Sequence, residues 1–282
     1  MENKKEQEIL YSADDADALT RSEQTESWRF ETDRKKAELI LENADGAQSL
    51  LDIGCAWGQI LRQLAGKIPT LAGVDESPER LAQLEGNALG IKTYRTSADA
   101  LDIDDGAFDI VLTSHIVHEF KLFGDEPELM RILGEIKRVL SSSGRYFIID
   151  HLDPGEGLVT INLPDDRLQQ LKKFAEDFRY RKIELSINGN DVVLSKRDCQ
   201  DFVTKIWSFG GGAEELEMKE THTVMRRNEL EKDLAEGGFR IEKWITFNPI
   251  TDIMRYYSVE LVEGDDWDRQ FMSIAKKYKT TV

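Results

Sequence analysis

The segment Leu50-Leu-Asp-Ile-Gly-Cys-Ala-Trp-Gly-Gln-Ile60 constrains this chain more than any other. Leu50, Leu51 and Ile53 read as a buried strand, and Ile60, Leu61 and Leu64 fall at helical spacing. Gly54 and Gly58 between them mark a tight turn with space for a ligand. A strand that passes through a glycine turn into a helix leaves free backbone N–H groups at the helix start, where a ligand can use them. Gly58 also permits close packing of the helix that follows.

The same alternation recurs downstream. Thr70–Asp75 reads as a second strand, and Ser77-Pro78-Glu79 opens a helix with Ser77 as N-cap and Pro78 in the first turn. Ile91–Arg95 and the strongly apolar Phe108–Thr113 follow as strands. Residues 128–140 form an amphipathic helix ended by Ser141–Gly144, and Arg145–Asp150 is a fifth strand. Repeated strand–helix units with apolar strands predict a parallel sheet covered on both faces, an α/β architecture.

The pattern breaks after Asp150. Residues 153–225 carry charged helices near 165–182 and 196–207 and a hairpin turn at Ile187–Asn190, and read as an inserted cap or substrate subdomain. Alternation resumes with a helix over Arg227–Gly238 and strands over Phe239–Phe247 and Arg255–Val262. The tail, 265–282, reads as a helix with Trp267, Phe271 and Ile274 on one face. This divides the chain into an N-terminal helical lid (1–45), a core (46–152 and 226–264), the cap (153–225) and the terminal helix. Trp28 and Phe30 either pack the N-terminal segment onto the core or belong to a lid over a ligand.

Composition narrows the partners. The formal net charge of −17 disfavours a nucleic-acid backbone, which needs clustered Lys and Arg. No apolar run reaches membrane-spanning length, and the N-terminus lacks the apolar core of a signal peptide. With only Cys55 and Cys199, no disulfide framework is implied, and the expected location is the reducing cytoplasm. Six cations between Arg167 and Lys182 (with Lys172, Lys173, Arg179 and Arg181) form either a solvated helix face or a wall for an acidic substrate. A dinucleotide dehydrogenase also uses glycines after strand one, but its spacing would require glycines at Ala56 and Gln59.

Four ordered elements carry a family resemblance: Asp52-Ile-Gly-Cys-Ala-Trp-Gly58, Gly73-Val-Asp75, Ser97-Ala-Asp-Ala100 and Phe108-Asp-Ile-Val-Leu-Thr113. Over residues 45–152 and 226–262 the chain resembles the class I S-adenosylmethionine-dependent methyltransferases, and the insertion lies outside the resemblance. The resemblance implies a doubly wound, mostly parallel, seven-stranded Rossmann-like sheet with an inserted cap of helices. It implies S-adenosylmethionine as cofactor, held by Asp52, Gly54, Cys55, Ala56, Trp57, Gly58, Asp75, Glu76, Ala98, Asp99, Ala100, Ser114 and His115. In that scheme Gly54 admits the methionine part of the cofactor, Asp75 takes the ribose hydroxyls and Asp99 the adenine amino group. Ala56 departs from the family's middle glycine, and bulky Trp57 follows it.

Strand four runs into Thr113-Ser-His-Ile-Val-His-Glu-Phe120, which holds two of the chain's four histidines. His115, His118 and His151 are the candidate bases for a hydroxyl or enol acceptor, because imidazole titrates in the useful range. Trp28, Arg29, His118, Arg179 and His222 are the candidate substrate contacts, with Arg34 a further cation on the N-terminal side. The aromatic residues Phe174, Phe178, Tyr180, Trp207 and Phe209 are candidates to close over the substrate. The His and carboxylate spacing matches no dedicated metal-ligand pattern. The expected activity is methyl transfer to oxygen of a small molecule, acidic if the cationic wall is functional. The alternatives are a cofactor-binding protein without methyl transfer, and a nucleic-acid or protein methyltransferase. The acceptor is not encoded legibly, and a homo-oligomer stays open.

Overall fold

A computed structural model describes residues 31–85, 89–124 and 126–278. Residues 31–42 form helix α1. Then come β1 (Ser49–Ile53), α2 (Gln59–Leu64), β2 (Thr70–Asp75), α3 (Pro78–Glu85), β3 (Lys92–Arg95), β4 (Phe108–Ser114), α4 (Val117–Phe123), α5 (Glu126–Val139) and β5 (Leu140–His151). β1 pairs in parallel with both β2 and β4, β2 with β3, and β4 with β5. The side chains of Leu50, Leu51, Ile53, Ile110, Val111 and Leu112 are completely buried. Removing each from water contributes about 1.5–3 kcal/mol, which is why continuous apolar runs become central strands.

The chain continues through β6 (Leu158–Asn162), α6 (Asp165–Asp177), β7 (Ser186–Asn188), β8 (Asp191–Ser195), α7 (Lys196–Lys205) and α8 (Glu214–Glu217). It ends with α9 (Arg227–Glu236), β9 (Phe239–Pro249), α10 (Ile250–Tyr256), β10 (Glu260–Glu263) and β11 (Asp268–Lys277). The main sheet has seven strands in the order β3-β2-β1-β4-β5-β11-β9, the expected doubly wound α/β sheet. The core unit comprises the described residues up to Asp150, Arg227–Ile245, and those from Phe271 onward. The second unit, labelled the cap unit after the sequence reading, comprises His151–Arg226 and Thr246–Gln270.

Several expectations are corrected. The tail is strand β11, not a helix: Arg269 to Ala275 are all buried, as they must be in a strand lying inside the sheet. The spacing of Trp267, Phe271 and Ile274 mimics a helix only because both faces of the strand are covered. Residues 255–262, read as one closing strand of the core, divide between α10 and β10, and β10 belongs to the cap unit. Ser141–Gly144 is strand backbone rather than a turn, with a register irregularity opposite Phe108–Ile110. The cap holds a four-stranded antiparallel sheet, β10-β6-β8-β7, beside its helices. Its hairpin does turn where expected, with Gly189 at φ 63°.

The cationic run also differs from its reading. α6 ends at Asp177, so Arg179, Arg181 and Lys182 lie beyond it. Phe178 leaves the helix to join a buried aromatic cluster, 4.8 Å from Phe174, which in turn lies 5.7 Å from Phe202. Phe174 and Phe178 are thus core residues of the cap. Arg181 is shared by Asp198 (2.7 Å) and Asp201 (2.6 Å), and Lys173 by Asp177 and Glu214. Arg181 and Lys173 thus pair with carboxylates of their own unit.

Candidate active site

In the core unit the loop after β1 is built by backbone of unusual hand. Gly54, Ala56 and Gly58 have φ of 71°, 47° and 70°. A Cβ on Gly54 would lie 2.2 Å from Cδ1 of Ile116, and one on Gly58 would lie 2.4 Å from Cδ1 of Leu84. The two glycines therefore let the loop sit against the start of α4 and against α3. Gly73 on β2 likewise leaves room for the Cys55 thiol, to which its Cβ would approach within 2.6 Å. Ala56 occupies the left-handed region as an L-residue, a conformation that costs about 1–2 kcal/mol.

Carboxylates surround this loop. Asp75, at the end of β2, accepts the Ala56 N–H through Oδ2 (3.0 Å) and the Ser77 N–H through Oδ1 (2.9 Å). It thereby fixes both the glycine loop and the entry to α3, while each oxygen keeps a further lone pair. Glu76 beside it is exposed. Asp52, near the carboxyl end of β1, is buried, and its Oδ1 has no hydrogen-bond partner among the described residues. Burial pushes its pKa up to about 8, helped by Asp75 and Asp33 and opposed by Lys36. Burial likewise pushes up the Cys55 thiol, so it is no nucleophile at neutral pH. Trp57 is half-buried. Asp99, between Ala98 and Ala100 after β3, accepts from Ser97 Oγ (2.7 Å) and from Arg131 Nε of α5 (3.3 Å).

At the outer ends of β4 and β5, Ser114 pairs in register with Ile149. His115 follows with φ 55°, its N–H donated to the Ile149 carbonyl at 2.8 Å. Asp150 is completely buried and is the hub of this edge. Its Oδ2 accepts the backbone N–H of His118 (3.0 Å), and its Oδ1 meets His118 Nδ1 at 2.7 Å. The N-cap residue of α4, Ile116, offers no capping side chain, and Asp150 supplies from β5 the carboxylate that a helix start favours. With Asp150 as the acceptor, His118 Nδ1 donates, and Nε2 is the ring's remaining nitrogen. His115 Nδ1 lies 4.0 Å from the same oxygen.

His151 and His222 meet in the cap unit, their rings stacked at 4.1 Å and 6°. Arg179 is exposed just beyond α6. Arg34 pairs with Glu31 and Glu38 on its own helix. Trp28 and Arg29, with the lid reading of residues 1–30, lie outside the described residues. The residue that sequence reasoning missed is Asp150. The only signal for it was a carboxylate next to His151 at a strand end.

Residues 51–148 match the model of the methyltransferase domain family. Over residues 51–148 the comparisons support a class I S-adenosylmethionine-dependent methyltransferase domain. An uncharacterized methyltransferase of Synechocystis is 31% identical over 123 residues, spanning 43% of this chain and 56% of that protein. A demethylmenaquinone methyltransferase of Thermus thermophilus is 31% identical over 136 residues, 46% of this chain and 56% of that protein. The matched region thus spans little more than half the length of these relatives. Among solved structures, the CcbJ methyltransferase of Streptomyces caelestis aligns with a TM-score of 0.51 at 14% identity, over 88% of this chain and 90% of that one. An S-adenosylmethionine-dependent methyltransferase of Mesorhizobium loti aligns with a TM-score of 0.50 at 18% identity, over 82% and 90%. These two share the fold. Such a domain implies S-adenosylmethionine as the cofactor. The loop fits such a ligand: a buried Asp52 oxygen without a partner is an acceptor suited to an ammonium group. Among the described residues no helix is long and apolar enough to cross a membrane.

Proposed function

We propose that this chain transfers a methyl group from S-adenosylmethionine to an oxygen of a small molecule, with His118 as the base. The observation that carries the reading is the clasp of buried Asp150 on His118. The cofactor supplies an electrophilic methyl group on a sulfonium. Asp52, the Gly54–Gly58 backbone, Asp75, Glu76, the Ala98–Ala100 turn, Ser114 and His115 are the residues that would hold it. Asp75 has lone pairs left for two ribose hydroxyls, and Asp99 reaches the adenine edge while Ser97 and Arg131 fix its orientation.

His118 Nε2 takes the proton of an acceptor hydroxyl or enol as its oxygen attacks. Asp150 keeps the ring in the required tautomer and stabilises the imidazolium that forms. A hydroxyl needs such a base, whereas an amine acceptor is already nucleophilic. The Thermus relative is named for demethylmenaquinone, which supports a small-molecule acceptor. The pairing of Arg181 and Lys173 with the cap's own carboxylates adds no support for an acidic one.

Calorimetry with S-adenosylhomocysteine tests the cofactor reading, and a folded chain that does not bind it would overturn that reading. Asp150→Asn and His118→Gln test the base. Each is expected to lower kcat about 10²–10⁴-fold, with cofactor affinity unchanged and with the rise of rate with pH through the imidazole range abolished. Retained kcat in both variants would remove the His118 assignment and favour an acceptor that needs no base.

A further inference from the structure

The cap unit buries three ligand-type side chains that the methyl-transfer reading does not use together. Glu217 closes α8, and Glu220 and His222 follow it in the chain. All three are buried, at 4%, 3% and 6% exposure. Glu217 Oε2 and Glu220 Oε1 each lie 3.6 Å from His222 Nε2, and one donor atom from each residue falls within 4.8 Å of the others. Donors bound to a single ion at about 2.1 Å stand about 3–3.5 Å apart, so side-chain shifts of about 1 Å close the set.

The hydrogen bonds behind His222 decide which nitrogen faces the carboxylates. Thr204 Oγ1 donates its proton to the Gln200 carbonyl at 2.7 Å. Toward His222 Nδ1, 2.8 Å away, the same oxygen can only accept. Nδ1 therefore carries a proton, and Nε2 is the nitrogen that faces the two carboxylate oxygens and would give a lone pair to an ion. An imidazole whose far nitrogen is anchored while its near lone pair joins two carboxylates is the usual arrangement of a metal-binding histidine. The backbone of His222 is also pinned: its N–H goes to Asp201 Oδ1 (2.6 Å), and its carbonyl accepts from Gln200 Nε2 (2.7 Å).

The pocket already holds a positive group. Lys205 is completely buried, with Nζ 2.7 Å from Glu217 Oε2 and 3.8 Å from Glu220 Oε1. Lys205 Nζ stands on the same two oxygens that an ion would use.

We propose that Glu217, Glu220 and His222 form a binding site for one divalent transition-metal ion, with zinc or manganese suited to its mixed nitrogen and carboxylate donors. Thr204 is the positioning residue behind His222, and the Lys205 ammonium competes with the ion. Three protein donors leave coordination positions for water or an oxygen ligand. The site is independent of the methyl-transfer reading.

The test uses the full chain, stripped with a chelator and titrated with Zn²⁺ and separately with Mn²⁺. Calorimetry and elemental analysis read the stoichiometry. One ion per chain is expected, with a rise in the melting temperature. Co²⁺ loading should give the visible d–d bands of nitrogen and oxygen ligation. Glu220→Gln and His222→Ala should abolish binding, and Thr204→Val should weaken it about 10–100-fold. Lys205→Met should tighten it. A folded wild-type chain that takes up neither ion overturns the proposal, as does stoichiometric binding that survives both Glu220→Gln and His222→Ala. So does an imidazolium at His222, seen by ¹⁵N NMR at neutral pH and unchanged by either metal. If the alanine variant does not fold, Thr204→Val and the cobalt spectrum of the wild type still decide the matter.

Discussion

Replacing Asp52 by Asn should remove most of one component of this protein's pH-dependent stability. Asp52 is only 2% exposed, and its carboxyl is raised from 3.8 to about 8, chiefly by burial. Between those two values the folded chain holds a proton that the unfolded chain has released. Stability then falls with rising pH by about 1.4 kcal/mol per pH unit. The contribution is fully present below about pH 4 and lost as pH rises to about 8. Over that window it amounts to roughly 5 kcal/mol, since water entry and relaxation only reduce it. Asn mimics the protonated side chain and cannot ionise, so the variant lacks the slope. The assay is urea denaturation followed by circular dichroism at pH 5 and pH 8, without cofactor, on both proteins. Wild type should lose several kcal/mol relative to Asp52→Asn between the two conditions. Parallel pH dependences would refute the reasoning, because they would mean that Asp52 is ionised in the folded chain. On the proposed cofactor site, the same carboxyl would also couple to ligand binding. A ligand that brings an ammonium to Asp52 favours its ionised form, so binding at pH 7 should release a proton. Calorimetry in buffers of different ionisation enthalpy detects that release.

Gly58→Ala forces an L-residue into φ 70° with its Cβ 2.4 Å from the Leu84 side chain. A loss of about 1–3 kcal/mol is expected from denaturation curves, part of it recovered on combining with Leu84→Ala. Ala56→Gly relieves a left-handed alanine but adds backbone entropy to the unfolded chain, so a net gain of only about 0.5 kcal/mol is expected. A loss of stability there would show that the Ala56 methyl makes contacts worth more than its strain. Trp57→Ala should weaken S-adenosylhomocysteine binding about tenfold, the worth of one aromatic contact, and unchanged affinity would separate Trp57 from the cofactor.

The sequence by itself determined the central sheet and the loop that follows its first strand. Local rules suffice there. Apolar runs of strand length, Gly54 and Gly58 at a turn, and Ser77-Pro78 at a helix start each leave the backbone one economical choice. The order of Asp52, Asp75 and Asp99 along the chain was legible for the same reason, since each sits at a strand end. Tertiary structure alone decided what depends on partners distant in sequence. β11 reads as a helix until neighbouring strands cover both of its faces. Arg181 and Lys173 look unpaired in the sequence until Asp198, Asp201 and Glu214 come back to them. Asp150 becomes the hub of His118 only through the β4–β5 pairing, which aligns residues over thirty positions apart. Glu217, Glu220 and His222 lie close in sequence, yet it is Thr204 and Lys205 of α7 that give their donor atoms a common direction. Periodicity records which face of an element is buried. It does not record what lies opposite, and in this chain the opposite group sets the chemistry of His118 and His222.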